Sequence, residues 1–200
     1  MASEVEVRTL VEDAELAAET LRLNGFSLAG SLKQRDIMHD KPDGQLFLSG
    51  QKIRIRVEDD RAELTYKGEF EGDQSASRRS EINITIPAGS VDDVSLVLTA
   101  LGYPILFQVQ KTRVVLRNGG VVATIDSWPI IGPMLELEGE EEEIKSIANL
   151  LFPKHIFRNY RLKELFEEVC SRRGKSLNEL QDEYEKSSRF ELGNIGFLTR

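Results

Sequence analysis

Charged side chains recur at alternate positions along several stretches of this 200-residue chain. That spacing places them on one face of a strand. Glu4, Glu6 and Arg8 alternate with Val5 and Val7, and Arg54 and Arg56 alternate with Ile53, Ile55 and Val57. Glu63, Thr65 and Lys67 alternate with Leu64 and Tyr66, and Arg79, Glu81 and Asn83 with Ile82, Ile84 and Ile86. Lys111 and Arg113 form a further basic pair, Asp126 follows Ile125, and Glu136 and Glu138 flank Leu137. The signs are segregated: the terminal strands carry the glutamate pairs and the middle ones the Arg and Lys pairs. Like charges at neighbouring same-face positions repel, so such arrays suggest a bound ligand that offsets the repulsion. Carboxylates take hard cations such as Mg²⁺, which bridge to phosphate. Guanidinium forks and ammonium groups hold phosphate oxygens. A bound cation can also acidify water and make a nucleophile. The competing reading is a sheet with one face under helices and the other in water. Ordinary solvent faces, however, carry Thr, Ser and mixed polar residues rather than repeated charges.

The elements that would position these residues can be read in order. A short strand around Val5–Thr9 precedes a helix with Ala14, Ala17, Ala18 and Leu21 on one stripe, stopped by Asn24-Gly25. Residues 32–40 look extended, and Asp43-Gly44 and Ser49-Gly50 are turn signals. Strands over 52–57 and 62–67 are joined by a tight turn at Asp59-Asp60. A polar loop over 71–77 leads to a strand over 79–86. Ser90 is placed as the N-cap of a helix of about three turns, with Asp93 at the capping-box position and Gly102 at its end. Strands over 106–117 and 121–127 form a hairpin across Asn118-Gly119-Gly120. A strand over 134–138 is followed by a helix that opens on the acidic run 140–143 and continues to Leu151. From about Pro153 the chain reads as helical, with one stripe of Leu162, Leu165, Phe166 and Val169 and another of Leu177, Leu180 and Tyr184. The order predicts an α+β class with a mostly antiparallel sheet, and about eight strands suffice to close a barrel. The expected organisation is residues 1–152 as one domain and 153–200 as a helical extension, acting as lid, plug or dimer arm.

Composition narrows the function. Forty per cent of residues are hydrophobic, enough for a core. The formal net charge of -8 argues against duplex nucleic acid as a partner held by bulk electrostatics. The single cysteine, Cys170, excludes a disulfide framework or a cysteine-based zinc site within one chain. The first residues lack the pattern of a signal peptide, and no apolar run suits a membrane span, so the expected compartment is the cytoplasm.

In its motifs the chain resembles the CYTH domain, or triphosphate tunnel metalloenzyme superfamily, over roughly residues 3–152. The resemblance rests on Glu4-Val5-Glu6-Val7-Arg8, Gln34-x-Asp36, Ile53-Arg54-Ile55-Arg56, Leu64-Thr65-Tyr66-Lys67-Gly68 and Arg79-x-Glu81. It continues through Leu101-Gly102-Tyr103, Lys111-Thr112-Arg113, Ile125-Asp126 and Glu136-Leu137-Glu138-Gly139. It implies a closed antiparallel eight-stranded β-barrel with a charged interior, flanking helices, and Mg²⁺ or Mn²⁺ as cofactor. By the same analogy Glu4, Glu6, Glu136 and Glu138 bind metal, while Arg8, Arg54, Arg56, Lys67, Arg79, Lys111 and Arg113 hold phosphates. Glu4, Glu6, Glu81 and Asp126 are the candidate catalytic carboxylates. Arg8 stands where the family usually has Lys, Asn83 where many members have Glu, and Met38 where an aromatic is common. Arg8 keeps the charge and cannot act as a base. The stretch from Asp126 through Ser127-Trp128-Pro129 to Glu136 resembles a bacterial and archaeal branch called adenylyl cyclase-like.

The resemblance implies metal-dependent hydrolysis of a triphosphate, with inorganic triphosphate first and nucleoside or thiamine triphosphate as further substrates. The alternatives are a class IV adenylyl cyclase, which makes cyclic AMP and pyrophosphate from ATP, and a non-catalytic binder of polyphosphate or nucleotide. A monomer or a homodimer fits either. Gly174-Lys175-Ser176 lacks the upstream glycine of a phosphate loop. His39 and His155 are isolated, His39 is assigned to solvent, and Trp128 is read as a packing or loop anchor rather than a base-stacking residue.

Overall fold

The computed structural model describes residues 5–69, 80–128, 131–157, 162–176 and 179. Its elements are β1 (Val5–Leu10), α1 (Ala14–Leu23), β2 (Ser27–His39), α2 (Gln45–Leu48), β3 (Lys52–Glu58), β4 (Arg61–Lys67) and β5 (Glu81–Pro87). They continue with α3 (Val91–Ala100), β6 (Ile105–Asn118), β7 (Val121–Trp128), β8 (Gly132–Gly139), α4 (Glu141–Leu151) and α5 (Leu162–Arg173). The eight strands form one sheet in the order β1-β8-β7-β6-β2-β3-β4-β5. The α+β class and the antiparallel sheet are as expected. The closed barrel is not: the sheet ends at β1 and β5, and no ladder joins these two among the described residues. Strand number permits closure without supplying the last ladder, and β5 is exposed along almost its whole length.

The chain divides into two compact units. The first contains β1, α1, β7, β8, α4 and the part of β6 from Lys111 onward. Residues directly opposite in an antiparallel ladder share a face, so the register sorts the side chains. Val5 and Val7, Leu135 and Leu137, Ala123 and Ile125, and Val114 and Leu116 lie on one face. They pack with Ala17, Ala18 and Leu21 of α1 and with Ile144 and Ala148 of α4. Leu21, Leu135, Leu137 and Ile144 have no exposure; each such side chain contributes about 1.5–3 kcal/mol through burial. The Asp13 carboxylate caps α1 by accepting from the Glu15 and Leu16 amides at 2.7 and 3.0 Å. Gly25 ends it at φ +89°, where an added Cβ would also press on Asn118 at 3.3 Å. The Glu140 carboxylate caps α4.

The second unit contains β3, β4, β5, α2 and α3, with β2 from Lys33 and β6 through Gln110. Its core of Ile37, Ile55, Ala62 and Val91 is joined by Val57, Leu64, Ile86, Val94 and Leu98. The expected apolar face is therefore present, but only partly covered. Ile82 and Ile84 of β5 are 57 % and 52 % exposed.

Local differences have local causes. β2 begins at Ser27 rather than near Leu32; its first three residues are exposed, and alternation in burial starts only at Ala29. α2 replaces a plain turn because the buried Asp40 carboxylate accepts from the Leu46 and Phe47 amides at 2.9 and 2.8 Å. Ser90 precedes α3 but makes no side-chain cap bond, since a 3-10 turn over Ala88–Ser90 leads directly into the helix. Leu165 and Val169 of α5 are buried, as their stripe predicts. The stripe of Leu177, Leu180 and Tyr184 lies outside the described residues.

Candidate functional site

In the first unit the face opposite the core is ionic. Glu6 lies directly across from Glu138, and Arg8 across from Glu136, in the β1–β8 ladder. Glu136 is in turn opposite Thr124, and Asp126 is opposite Arg113. Alternation along four adjoining strands thus gathers the residues that the sequence scatters over more than a hundred positions. The Arg8 guanidinium is ion-paired with Glu6 and, at 2.9 Å, with Glu136. Asp126 is buried and takes two cations. Arg113 grips it bidentately, with both contacts at 2.6 Å, and the Lys111 ammonium donates to it as well. The same ammonium lies 4.8 Å from the centre of the Trp128 ring, a cation–π distance. Burial pushes the Asp126 carboxyl up, but hydrogen bonds and charge from Arg113 and Lys111 outweigh it and hold the group below its ordinary value. Glu136 follows the same pattern: burial raises it, and the charges of Arg8 and Arg113 bring it lower.

The second unit carries a separate ionic face. Arg56 grips the buried Asp36 bidentately at 2.7 and 2.8 Å. Lys67 pairs with Glu81 at 2.7 Å. Arg54 donates to Thr65 Oγ1 at 3.3 Å and lies 3.9 Å from Glu63. Burial raises Glu81, and the hydrogen bond and charge of Lys67 bring it below its ordinary value. Sequence reading did not assign Asp36 a role, although it quoted the motif. Its signal was a lone acid on a strand directly opposite Arg56.

A sequence model of the CYTH domain matches residues 2–165. The chain belongs to the CYTH family. A Methanocaldococcus jannaschii protein named "Putative adenylate cyclase" is 27 % identical over 148 residues, which is 74 % of this chain and 83 % of that protein. A conserved hypothetical protein from Pyrococcus furiosus superposes with a TM-score of 0.62 at 23 % identity, covering 74 % of this chain and 90 % of that one. A Hippeastrum protein, named as an adenylyl cyclase that reveals a dominant triphosphatase activity, superposes with a TM-score of 0.59 at 17 % identity and coverages of 87 % and 96 %. At such identities the structural likenesses establish the fold.

CYTH enzymes generally depend on a divalent metal, and the first unit's donors fit one. Glu6 and Glu138 place like charges directly opposite each other, an arrangement that a cation relieves. Among the described residues no three His, Cys, Asp or Glu side chains form a metal cage on their own. Mg²⁺ does not require one, because it is usually held by one or two carboxylates, several waters and phosphate oxygens. Glu4 and Arg79 lie outside the described residues.

The lesser signals resolve structurally. Gly174 has φ +62° after α5, and Ser176 and Glu179 exchange hydrogen bonds as in a capping box. His39 is buried, contrary to its assignment to solvent. Its Nδ1 meets the Tyr103 carbonyl at 2.9 Å and its Nε2 the Ser95 hydroxyl at 3.2 Å. Burial lowers its pKa, against the opposing effect of the Tyr103 hydrogen bond. Trp128 belongs to the ionic face through Lys111. No helix among the described residues is long and apolar enough to cross a membrane.

Proposed function

We propose that this CYTH protein is a metal-dependent phosphohydrolase that cleaves a triphosphate, with inorganic triphosphate as the first substrate. The observation that carries this reading is the row of opposed acids, Glu6 across from Glu138, beside the Asp126-anchored Lys111 and Arg113. Glu6, Glu136 and Glu138, with Glu4, would hold Mg²⁺ or Mn²⁺. That cation would screen phosphoryl charge and acidify water. Arg113 and Lys111 hold phosphoryl oxygens and stabilise the charge that shifts as the bond to the leaving group breaks. Asp126 keeps both cations oriented. Arg8 offsets the repulsion among the glutamates and, as a guanidinium, takes no proton from water. Arg54, Arg56 and Lys67, with Arg79, are the second unit's own phosphate-binding candidates. Glu81 holds Lys67 in place.

A second reading, an adenylyl cyclase, is favoured by the name of the archaeal relative. It uses the same charges but needs the ribose hydroxyl as nucleophile and pyrophosphate as leaving group. The deciding experiment incubates the protein with triphosphate and, separately, with ATP, each with Mg²⁺ or Mn²⁺, and separates the products by chromatography. Phosphate and pyrophosphate from triphosphate, lost in Glu138→Gln, support the hydrolase. Cyclic AMP and pyrophosphate from ATP make it a cyclase. Binding without any product, seen as a melting temperature raised by triphosphate plus Mg²⁺, leaves a sensor.

A further inference from the structure

Two neutral side chains on the ionic face of the first unit have polar atoms that are buried and unsatisfied. Thr124 is 7 % exposed, and its Oγ1 has no hydrogen-bond partner. The Trp128 indole Nε1 is likewise buried with no partner. Both lie on β7 two residues from Asp126, one on either side, so all three side chains point to the same face. Among the described residues neither has an acceptor within hydrogen-bond reach. The Asp126 oxygens accept from Lys111 and Arg113 instead. Glu136, opposite Thr124, is ion-paired with Arg8. Lys111 lies over the Trp128 ring, which leaves the N–H at the ring edge as that side chain's only donor.

Buried donors are nearly always paired, so an orphan marks either a strain or an absent partner. Two orphan donors flanking one carboxylate that is already held by Lys111 and Arg113 point to a partner rich in acceptors and poor in donors. We propose that Thr124 and Trp128 are two further ligand-binding residues of this site, donating neutral hydrogen bonds to phosphoryl oxygens of the triphosphate. The proposal rests on the triphosphate reading above and extends it to residues outside the charged set. Neutral donors add contacts without adding charge, so they select for acceptor geometry rather than for anion charge alone. The Lys111 ammonium over the ring also disfavours a stacked nucleobase on that face of Trp128.

Trp128 is the chain's single tryptophan, so emission from the intact protein reports on this position. Wild-type protein is titrated with inorganic triphosphate plus Mg²⁺, and calorimetric heat and tryptophan emission are followed together. Both signals are expected to saturate at the same midpoint. Heat without a change in emission overturns the role of Trp128 and leaves the triphosphate reading intact, because water then satisfies the indole in both states. No heat at all overturns the triphosphate reading, and this proposal with it.

Two variants complete the test. Trp128→Phe keeps a ring beneath Lys111 and removes the N–H, and about a tenfold weaker affinity is expected for one lost hydrogen bond to a charged acceptor. Thr124→Val removes a hydroxyl that is unsatisfied in the free protein. Its melting temperature should stay level or rise while triphosphate affinity falls. A lower melting temperature with unchanged affinity would assign Thr124 to structure and overturn its half of the proposal.

Discussion

The two ionic faces are built from the same residue types and differ in how the charges are shared. In the second unit Arg56 pairs with Asp36, Lys67 with Glu81 and Arg54 with Glu63. In the first unit Asp126 serves both Lys111 and Arg113, Arg8 serves both Glu6 and Glu136, and Glu138 faces Glu6 across the ladder. Each unit has one deeply buried acid, Asp36 at 3 % and Asp126 at 2 % side-chain exposure, while Glu63 and Glu81 of the second unit are 43 % and 37 % exposed. In the second unit a carboxylate holds each of these basic side chains in place, which suits binding of an anion. In the first unit Glu6, Glu136 and Glu138 gather around Arg8, which suits a cation, while Lys111 and Arg113 share the single carboxylate of Asp126, which suits phosphoryl oxygens.

The sharpest way to break this comparison is to remove the shared acid. Asp126→Asn leaves Lys111 and Arg113 short of a buried counter-charge. Breaking a buried pair in this way costs about 3–5 kcal/mol, and the melting temperature should fall on the order of 10 °C. Asp36→Asn removes the bidentate partner of Arg56 and should cost clearly less in the same thermal scan. Equal losses would mean that sharing is energetically irrelevant.

Next in size is a kinetic contrast. Glu138→Gln should lower kcat about a hundredfold or more and raise the Mg²⁺ concentration needed for half-maximal rate. Glu81→Gln, which loosens Lys67, should act mainly on KM. A loss of kcat in Glu81→Gln as deep as in Glu138→Gln would place catalysis in both units. A smaller effect is expected at Arg54, where Arg54→Gln should raise KM about tenfold, as for one charged hydrogen bond, with kcat little changed.

The smallest effect separates the units by pH. His39 lies below its ordinary value of 6.5 in the folded protein, so the unfolded chain takes up the proton more readily. Its contribution to stability is complete above about pH 6.5 and is lost as pH falls through the folded value. Asp126 and Glu136 are also depressed, from 3.8 and 4.5. Their contributions therefore persist until pH falls below those ordinary values and through the folded ones. Between pH 7 and 5, amide protection, taken relative to the intrinsic exchange rate at each pH, should fall in α3, which holds Ser95 against His39, and change little in α1 and α4. His39→Gln should flatten that response, and an equal fall in all three helices would remove His39 as its source.

Much of this was legible because strand faces are a local property. The alternation in 53–57, 62–67 and 135–138 assigned the apolar and charged sides before any ladder was known, since side chains on a strand alternate with period two. Helix ends at Asn24-Gly25 and at the acidic run 140–143 were equally local, because a cap needs only its own neighbours. The residue motifs also sufficed for the family. Partner choice was not legible, because it depends on register between strands far apart in sequence. Only the ladders set Glu6 against Glu138 and placed Asp126 between Lys111 and Arg113. Only they show that, among the described residues, the order of the eight strands runs from β1 to β5 with no ladder between those two. The burial of His39 and the start of β2 at Ser27 were hidden for a related reason. The first depends on α3 packing over the strand, and the second on β6 and β3, the neighbours of β2 in the sheet. The sequence by itself therefore determined which side chains share a face, because that follows from the period of the backbone. The tertiary structure alone decided which of them meet, because that follows from distant strands coming into register.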